Sequence, residues 1–147
     1  MRNYIKSTLS ISPVMPVLTI NDIDNVEYIF EALLNGNLKV VEITLRTDCA
    51  LKAIEIASKK FPSLKTGAGT VLSNEDLNSV KDAGATFAVS PGSTISLATH
   101  ANKMKFPLLP GVSNSSDIMN LINLDYKFFK FFPAQAAGGI EYLKSLS

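Results

Sequence analysis

Cysteine and histidine are nearly missing from this chain. Cys49 and His100 are single copies among 147 residues, so no disulfide framework is available, and a zinc site would need several carboxylates to complete it. A metal-dependent mechanism therefore has little support, and no cofactor is expected. Charge of one sign is lacking too: 14 Lys and Arg stand against 13 Asp and Glu, a formal net charge of +1. That balance offers no basic face to nucleic acid and no polybasic anchor to a membrane. No apolar run approaches the roughly 18 residues that cross a bilayer. The opening Met1-Arg2-Asn3-Tyr4-Ile5-Lys6 also lacks the apolar core of a signal peptide. Nucleic-acid and membrane partners are not expected, and the cytoplasm is the expected compartment.

What is present suits one globular core, with 46% hydrophobic and 18% charged residues. Residues 1–12 read as a short helix or arm. A strand-length apolar run follows from Pro13 to Ile20, then an amphipathic helix over 23–35, with Val26, Ile29, Phe30 and Leu33 at helical spacing and Gly36 as its stop. The same phrase repeats. Strands are expected at Leu38–Leu45, Lys65–Leu72, Thr86–Ser90, Phe106–Val112 and Phe128–Phe132. Helices are expected at Cys49–Phe61, from Ser73 as N-cap to Gly84, at Thr94–Lys103, at Ser116–Leu124 and from Ile140. Thr70, Ser90, Pro110 and Lys130 recur every 20 residues, the length of a strand, a short loop, a helix and a second loop. Such βα units make parallel strands with helices outside, either an open doubly wound sheet or a closed barrel. No Gly-x-Gly-x-x-Gly follows the first strand, and the strands are almost continuously apolar. The expected fold class is therefore α/β, a (β/α)8 TIM-barrel type with about six units present in a single incomplete domain.

One lysine lies inside the most apolar stretch, Phe128-Phe129-Lys130-Phe131-Phe132-Pro133. Burial among apolar groups disfavours the charged amine, and a neutral amine is a nucleophile suited to Schiff-base formation with a carbonyl. The plainer reading of Lys130 is a solubilising gatekeeper that reaches water, and Lys127 reads that way. In Val41-Glu42-Ile43-Thr44-Leu45-Arg46-Thr47, period two puts Glu42, Thr44 and Arg46 on one face and the apolar residues on the other. With helices covering the outside, the polar set faces the interior, where Glu42 and Arg46 either pair with each other or do chemistry. With Lys130 on another strand at similar depth, the three suit a pyruvate-type ligand. Lys130 attacks the ketone, Glu42 moves protons, and Arg46 forks the carboxylate. Thr70 and the backbone of Gly67-Ala68-Gly69 offer a second carboxylate contact, although close strand-to-helix packing also explains the glycines. Ser90-Pro91-Gly92 and Leu109-Pro110-Gly111 read as turn formers, and His100 reads as a surface residue.

These stretches, together with Gly-Ala-Gly-Thr-Val at 67–71, Leu-Pro-Gly-Val at 109–112 and Lys-Phe-Phe-Pro-Ala at 130–134, resemble the 2-keto-3-deoxy-6-phosphogluconate (KDPG) aldolase family over nearly the whole chain. The resemblance implies a metal-free class I aldolase on a (β/α)8 barrel, usually a homotrimer. Its members split the phosphorylated keto-deoxy acid into pyruvate and glyceraldehyde 3-phosphate, and many also split 4-hydroxy-2-oxoglutarate into pyruvate and glyoxylate. Carried over by motif, Lys130 is the Schiff-base lysine, Glu42 the acid/base, and Arg46, Thr70, Gly69 and Pro91 line the substrate. Two positions depart from the family's pattern: Gln135 stands where glutamate is usual, and Thr19 where some members carry arginine. The counterparts of the family's last two strands, with their glycine-rich phosphate loops, are not found in these residues. A catalytically impaired relic of the fold is therefore the alternative expectation. A phosphate-binding isomerase on a similar barrel is disfavoured, because it would leave Lys130 idle.

Overall fold

The structure is a computed structural model and describes residues 2–146. A first helix, α1 (Arg2–Leu9), precedes strands β1 (Val17–Leu18), β2 (Val40–Thr44), β3 (Lys65–Gly69), β4 (Phe87–Val89), β5 (Leu108–Leu109), β6 (Gly111–Val112) and β7 (Lys130–Phe131). Helices α2 (Val26–Asn35), α3 (Ala50–Lys60), α4 (Asn74–Asp82), α5 (Ile95–Lys103), α6 (Ser115–Ile122) and α7 (Gly139–Ser145) fill the intervals. Local sequence fixes several of these boundaries. Ser73 and Asp76 form a reciprocal capping box at the start of α4, and Thr94 and Asn114 cap α5 and α6 with their side chains. Gly84, at φ 94°, turns the chain after α4 in a conformation that costs other residues heavily.

All strand pairs are parallel, in the order β1-β2-β3-β4-β5, with β6 paired to β7. This is the TIM-barrel type of α/β fold. The expected strand at 106–112 is divided by Pro110, which has no N–H to give the ladder. Its first half pairs with β4 and its second half with β7, while the Pro110 carbonyl still accepts from Lys130 N at 2.9 Å. Strand lengths differ from the sequence reading in the same direction: the first strand contracts from Pro13–Ile20 to Val17–Leu18, and the last from Phe128–Phe132 to Lys130–Phe131. Prolines 13 and 16 remove donors from the one, and Pro133 ends the other.

Alternation along the strands sorts side chains into two layers. Val41 and Ile43 of β2, Ala68 of β3, Ala88 of β4 and Leu108 of β5 pack outward against the apolar stripes of α2 to α5, including Phe30, Ile54, Leu77 and Leu97. The opposite faces hold Val40, Phe87, Val89 and Leu109, and Ile5 of α1 joins them. Because Tyr4 also accepts from Lys65 Nζ at the start of β3 (3.1 Å), α1 closes the amino end of the interior. Sheet curvature follows from one contact. β2 and β7 are four strand steps apart (β2 to β3, β3 to β4, β4 to the 108–112 strand, and that strand to β7), which in a flat sheet is about 19 Å. Yet side chains of the two strands meet at 3.2 Å. The sheet therefore wraps toward its inner face, and that face is where the site lies.

Candidate active site

The carboxyl ends of the strands carry the chemistry. Glu42 on the inner face of β2 is almost fully buried, its side chain 4% exposed, and Lys130 at the start of β7 reaches it with a side chain 25% exposed. Lys130 Nζ donates to both carboxylate oxygens, at 3.2 Å to Oε1 and 3.3 Å to Oε2. The lysine is thus less enclosed than its aromatic run implied. Flanking residues Phe129 and Phe131 turn away from the interior, while Phe132 places its ring 5.3 Å from Nζ, a cation–π distance. Phe132 escaped the sequence reading, although its i+2 relation to Lys130 puts it on the same strand face.

Of the two readings of Glu42 and Arg46, the mutual pair does not form. β2 ends at Thr44 and the backbone turns at Leu45 and Arg46, so strand alternation no longer governs position 46. Arg46 is exposed at the rim and makes no hydrogen bond or ion pair among the described residues. Thr44, on the inner face with Glu42, is instead satisfied by its own strand's neighbour: its hydroxyl donates to the Leu18 carbonyl at 2.9 Å and lies 3.1 Å from Thr19 Oγ1. Thr19 is used in that contact.

Thr70 directly follows β3 with φ 58°. A β-branched residue in the left-handed region is strained and persists only where its surroundings fix it, here with Leu45 N donating to the Gly69 carbonyl and Val71 N to that of Val89. Gly67 and Gly69 do not serve strand-to-helix packing. Their open faces look inward, where the Phe87 ring and the Glu42 side chain fill the space a methyl would take. Pro91 follows β4 and is partly buried; a Cβ at Gly111 would fall 2.2 Å from the Pro91 carbonyl oxygen, so this glycine admits the loop backbone. Ser90, fully buried, accepts from Gly111 N at 3.3 Å and lies 2.6 Å from Ser93 Oγ, which ties that loop to β6. Gln135 is exposed in the turn after β7 and makes no hydrogen bond to either member of the pair. His100 is partly buried on α5, with Nε2 3.2 Å from Asn78 Oδ1, and lies outside the site. Among the described residues, no group of histidines, cysteines and carboxylates is arranged to hold a metal ion.

An α/β-barrel protein with a lysine amine seated on a buried carboxylate, an unpaired arginine at the rim and strained backbone beside them is the class these features define. Comparison with known proteins narrows it. Residues 5–147 match the aldolase family described as KDPG and KHG aldolase. A 2-dehydro-3-deoxy-phosphogluconate aldolase from Zymomonas mobilis is 49% identical over 143 residues, covering 97% of this chain and 68% of its own. The crystal structure of the Zymomonas mobilis ZM4 aldolase with 3-phosphoglycerate superposes with a TM-score of 0.96 at 48% identity, over 99% of this chain and 69% of that one. A Legionella pneumophila KDPG aldolase, with pyruvate captured as a covalent carbinolamine, gives a TM-score of 0.93 at 43% identity over 96% and 68% of the two chains. The chain belongs to the KDPG and KHG aldolase family. It spans about two thirds of the length of these relatives.

Proposed function

We propose that this chain is a class I aldehyde-lyase that cleaves 2-keto-3-deoxy-6-phosphogluconate to pyruvate and glyceraldehyde 3-phosphate, and 4-hydroxy-2-oxoglutarate to pyruvate and glyoxylate. One observation carries the reading: an amine and a buried carboxylate 3.2 Å apart at the mouth of the barrel. That distance permits direct proton transfer.

The Lys130 ammonium gives a proton to Glu42, and the freed lone pair attacks the C2 ketone while the carbonyl electrons move to oxygen. A second proton passes from the nitrogen to that oxygen to give the carbinolamine, and Glu42, now protonated, returns its proton to the hydroxyl, which leaves as water while C=N forms. The resulting iminium is the electron sink. When Glu42 takes the proton of the C4 hydroxyl, the C3–C4 bond breaks, its electrons enter the enamine, and the aldehyde departs. Protonation of C3 and attack of water on the iminium then release pyruvate and restore the amine. The Arg46 fork, unpaired among the described residues, suits the C1 carboxylate bidentately, with the Thr70 hydroxyl as a neighbouring donor. Pro91 completes the wall on the β4 side. The family resemblance supports a homotrimer, and the free Cys49 and small-metabolite chemistry fit the cytoplasm. No helix is long and apolar enough to cross a membrane among the described residues.

Intact-mass spectrometry after incubation with pyruvate and borohydride tests the proposal. A single reduced adduct, mapped by peptide sequencing to Lys130 and absent in Lys130→Ala, is the expected result. No adduct on the folded parent chain refutes it.

A further inference from the structure

Glycine in the body of a strand weakens it and needs a reason. For Gly69 the reason is not backbone freedom: it lies within β3, and its φ is outside the left-handed region in which Gly84, Gly138 and Gly139 sit. Space is what it supplies. A methyl built on Gly69 would lie 2.0 Å from Glu42 Oε1 and 2.6 Å from both Cγ and Cδ, so the Glu42 side chain occupies the volume that any other residue would claim. Register shows how the carboxylate comes to be there. Glu42 stands opposite Gly67, and Gly69 stands opposite Thr44. The slot at Gly67 is already filled, because a methyl there would meet the Phe87 ring at 2.2 Å. The carboxylate leans instead one pleat, roughly 6.6 Å, toward the carboxyl end, and that lean carries it to Lys130.

We propose that Gly69 is a positioning residue whose missing side chain is the seat of the Glu42 carboxylate and so holds both its oxygens on Lys130 Nζ, rather than a contact to the substrate. The catalytic part of this inference rests on the Schiff-base reading above; the seat itself does not. A side chain at position 69 displaces the carboxylate, breaks the contacts at 3.2 and 3.3 Å and removes the proton acceptor from the amine.

The test is a cycle of four chains: parent, Gly69→Ala, Glu42→Ala and the double variant. Melting temperature and the initial rate of pyruvate–borohydride adduct formation are measured on each. Overpacking lowers the melting point of Gly69→Ala by about 3–10 °C relative to the parent. The same change is neutral or stabilising in the Glu42→Ala background, where the seat is empty. Adduct formation slows at least about 10-fold in Gly69→Ala, whereas Glu42→Ala and the double variant form adduct at equal rates. An equal loss of melting temperature in both backgrounds overturns the inference, as does a double variant slower than Glu42→Ala or a Gly69→Ala chain as fast as the parent. Should Gly69→Ala fold only in the Glu42→Ala background, the seat is supported; failure in both overturns it. If the parent itself forms no adduct, the Schiff-base reading fails and the melting cycle alone decides the seat.

Discussion

Removing the lysine amine strands a carboxylate. The Glu42 carboxylate has no hydrogen-bond or ionic partner other than Lys130 among the described residues, and the side chain is 4% exposed. Deleting one member of a buried ion pair costs about 3–5 kcal/mol, mostly the penalty for the charge left behind. Here the lysine side chain is a quarter exposed, so water can enter the vacated volume and the lower end of that range applies, about 3 kcal/mol. For a chain of this size each kcal/mol shifts the melting point by about 2–4 °C, which puts Lys130→Ala roughly 6–12 °C below the parent at pH 7. Removing the stranded charge as well, in the Glu42→Ala and Lys130→Ala double variant, recovers at least half of that loss despite the extra cavity. Thermal melts followed by circular dichroism, with urea unfolding at 25 °C as a second measure, give both quantities. A Lys130→Ala chain that melts within about 2 °C of the parent, or a double variant no more stable than the single one, would refute the argument that the pair is electrostatically coupled.

Three other outcomes are expected. Arg46→Ala raises the pyruvate concentration for half-maximal adduct formation by about 10-fold or more and leaves the melting point unchanged, because the side chain is exposed and unpaired; titrating pyruvate in the trapping assay measures the first. Ser73→Ala removes one half of the capping box on α4 and costs about 1 kcal/mol, read by urea unfolding, with no change in the affinity for pyruvate. Burial pushes the Tyr126 phenol up from 10.0 to about 12, and it donates to the Ala98 carbonyl at 2.9 Å. A phenol favoured in its neutral form stabilises the fold fully below pH 10 and loses that contribution as pH rises through 12. The parent's advantage over Tyr126→Phe, about 1 kcal/mol at pH 7, therefore shrinks across pH 10 to 12; unfolding curves at successive pH values check the slope.

How much of this could be read before folding depends on what kind of information each feature uses. The βα rhythm was legible because prolines, glycines and caps act locally; of the residues at the 20-residue interval, Thr70 and Ser90 directly follow β3 and β4, whereas Pro110 lies between β5 and β6 and Lys130 opens β7. Period two placed Val41 and Ile43 outward and Glu42 and Thr44 inward, as found. It failed at Arg46, two residues past the end of the strand, because alternation says nothing about where the chain stops being extended. The pairing of Glu42 with Lys130 rather than Arg46 is a matter of sheet curvature, which no local pattern encodes. Likewise, Gly67 and Gly69 look alike in the sequence, and only their occupants, a phenyl ring and a carboxylate, tell them apart. Ile5 is the remaining case. Its helix is short and read as an arm, yet it closes the interior because it packs, with Met15 and Phe128, on the apolar surface of Val40 and Phe87.

The Lys130–Glu42 contact joins residues 88 positions apart, while the strand pairs that bring them together each span one βα unit. Loop closure is cheap for each unit and expensive for a direct encounter of such distant segments. The geometry of the pair therefore depends on every intermediate strand being in place. Until that moment Lys130 is an ordinary amine on a sticky segment. Its reactivity toward a keto acid is a property of the assembled sheet, so a refolding experiment quenched with pyruvate and borohydride would time the formation of the pair, one lysine serving as the reporter.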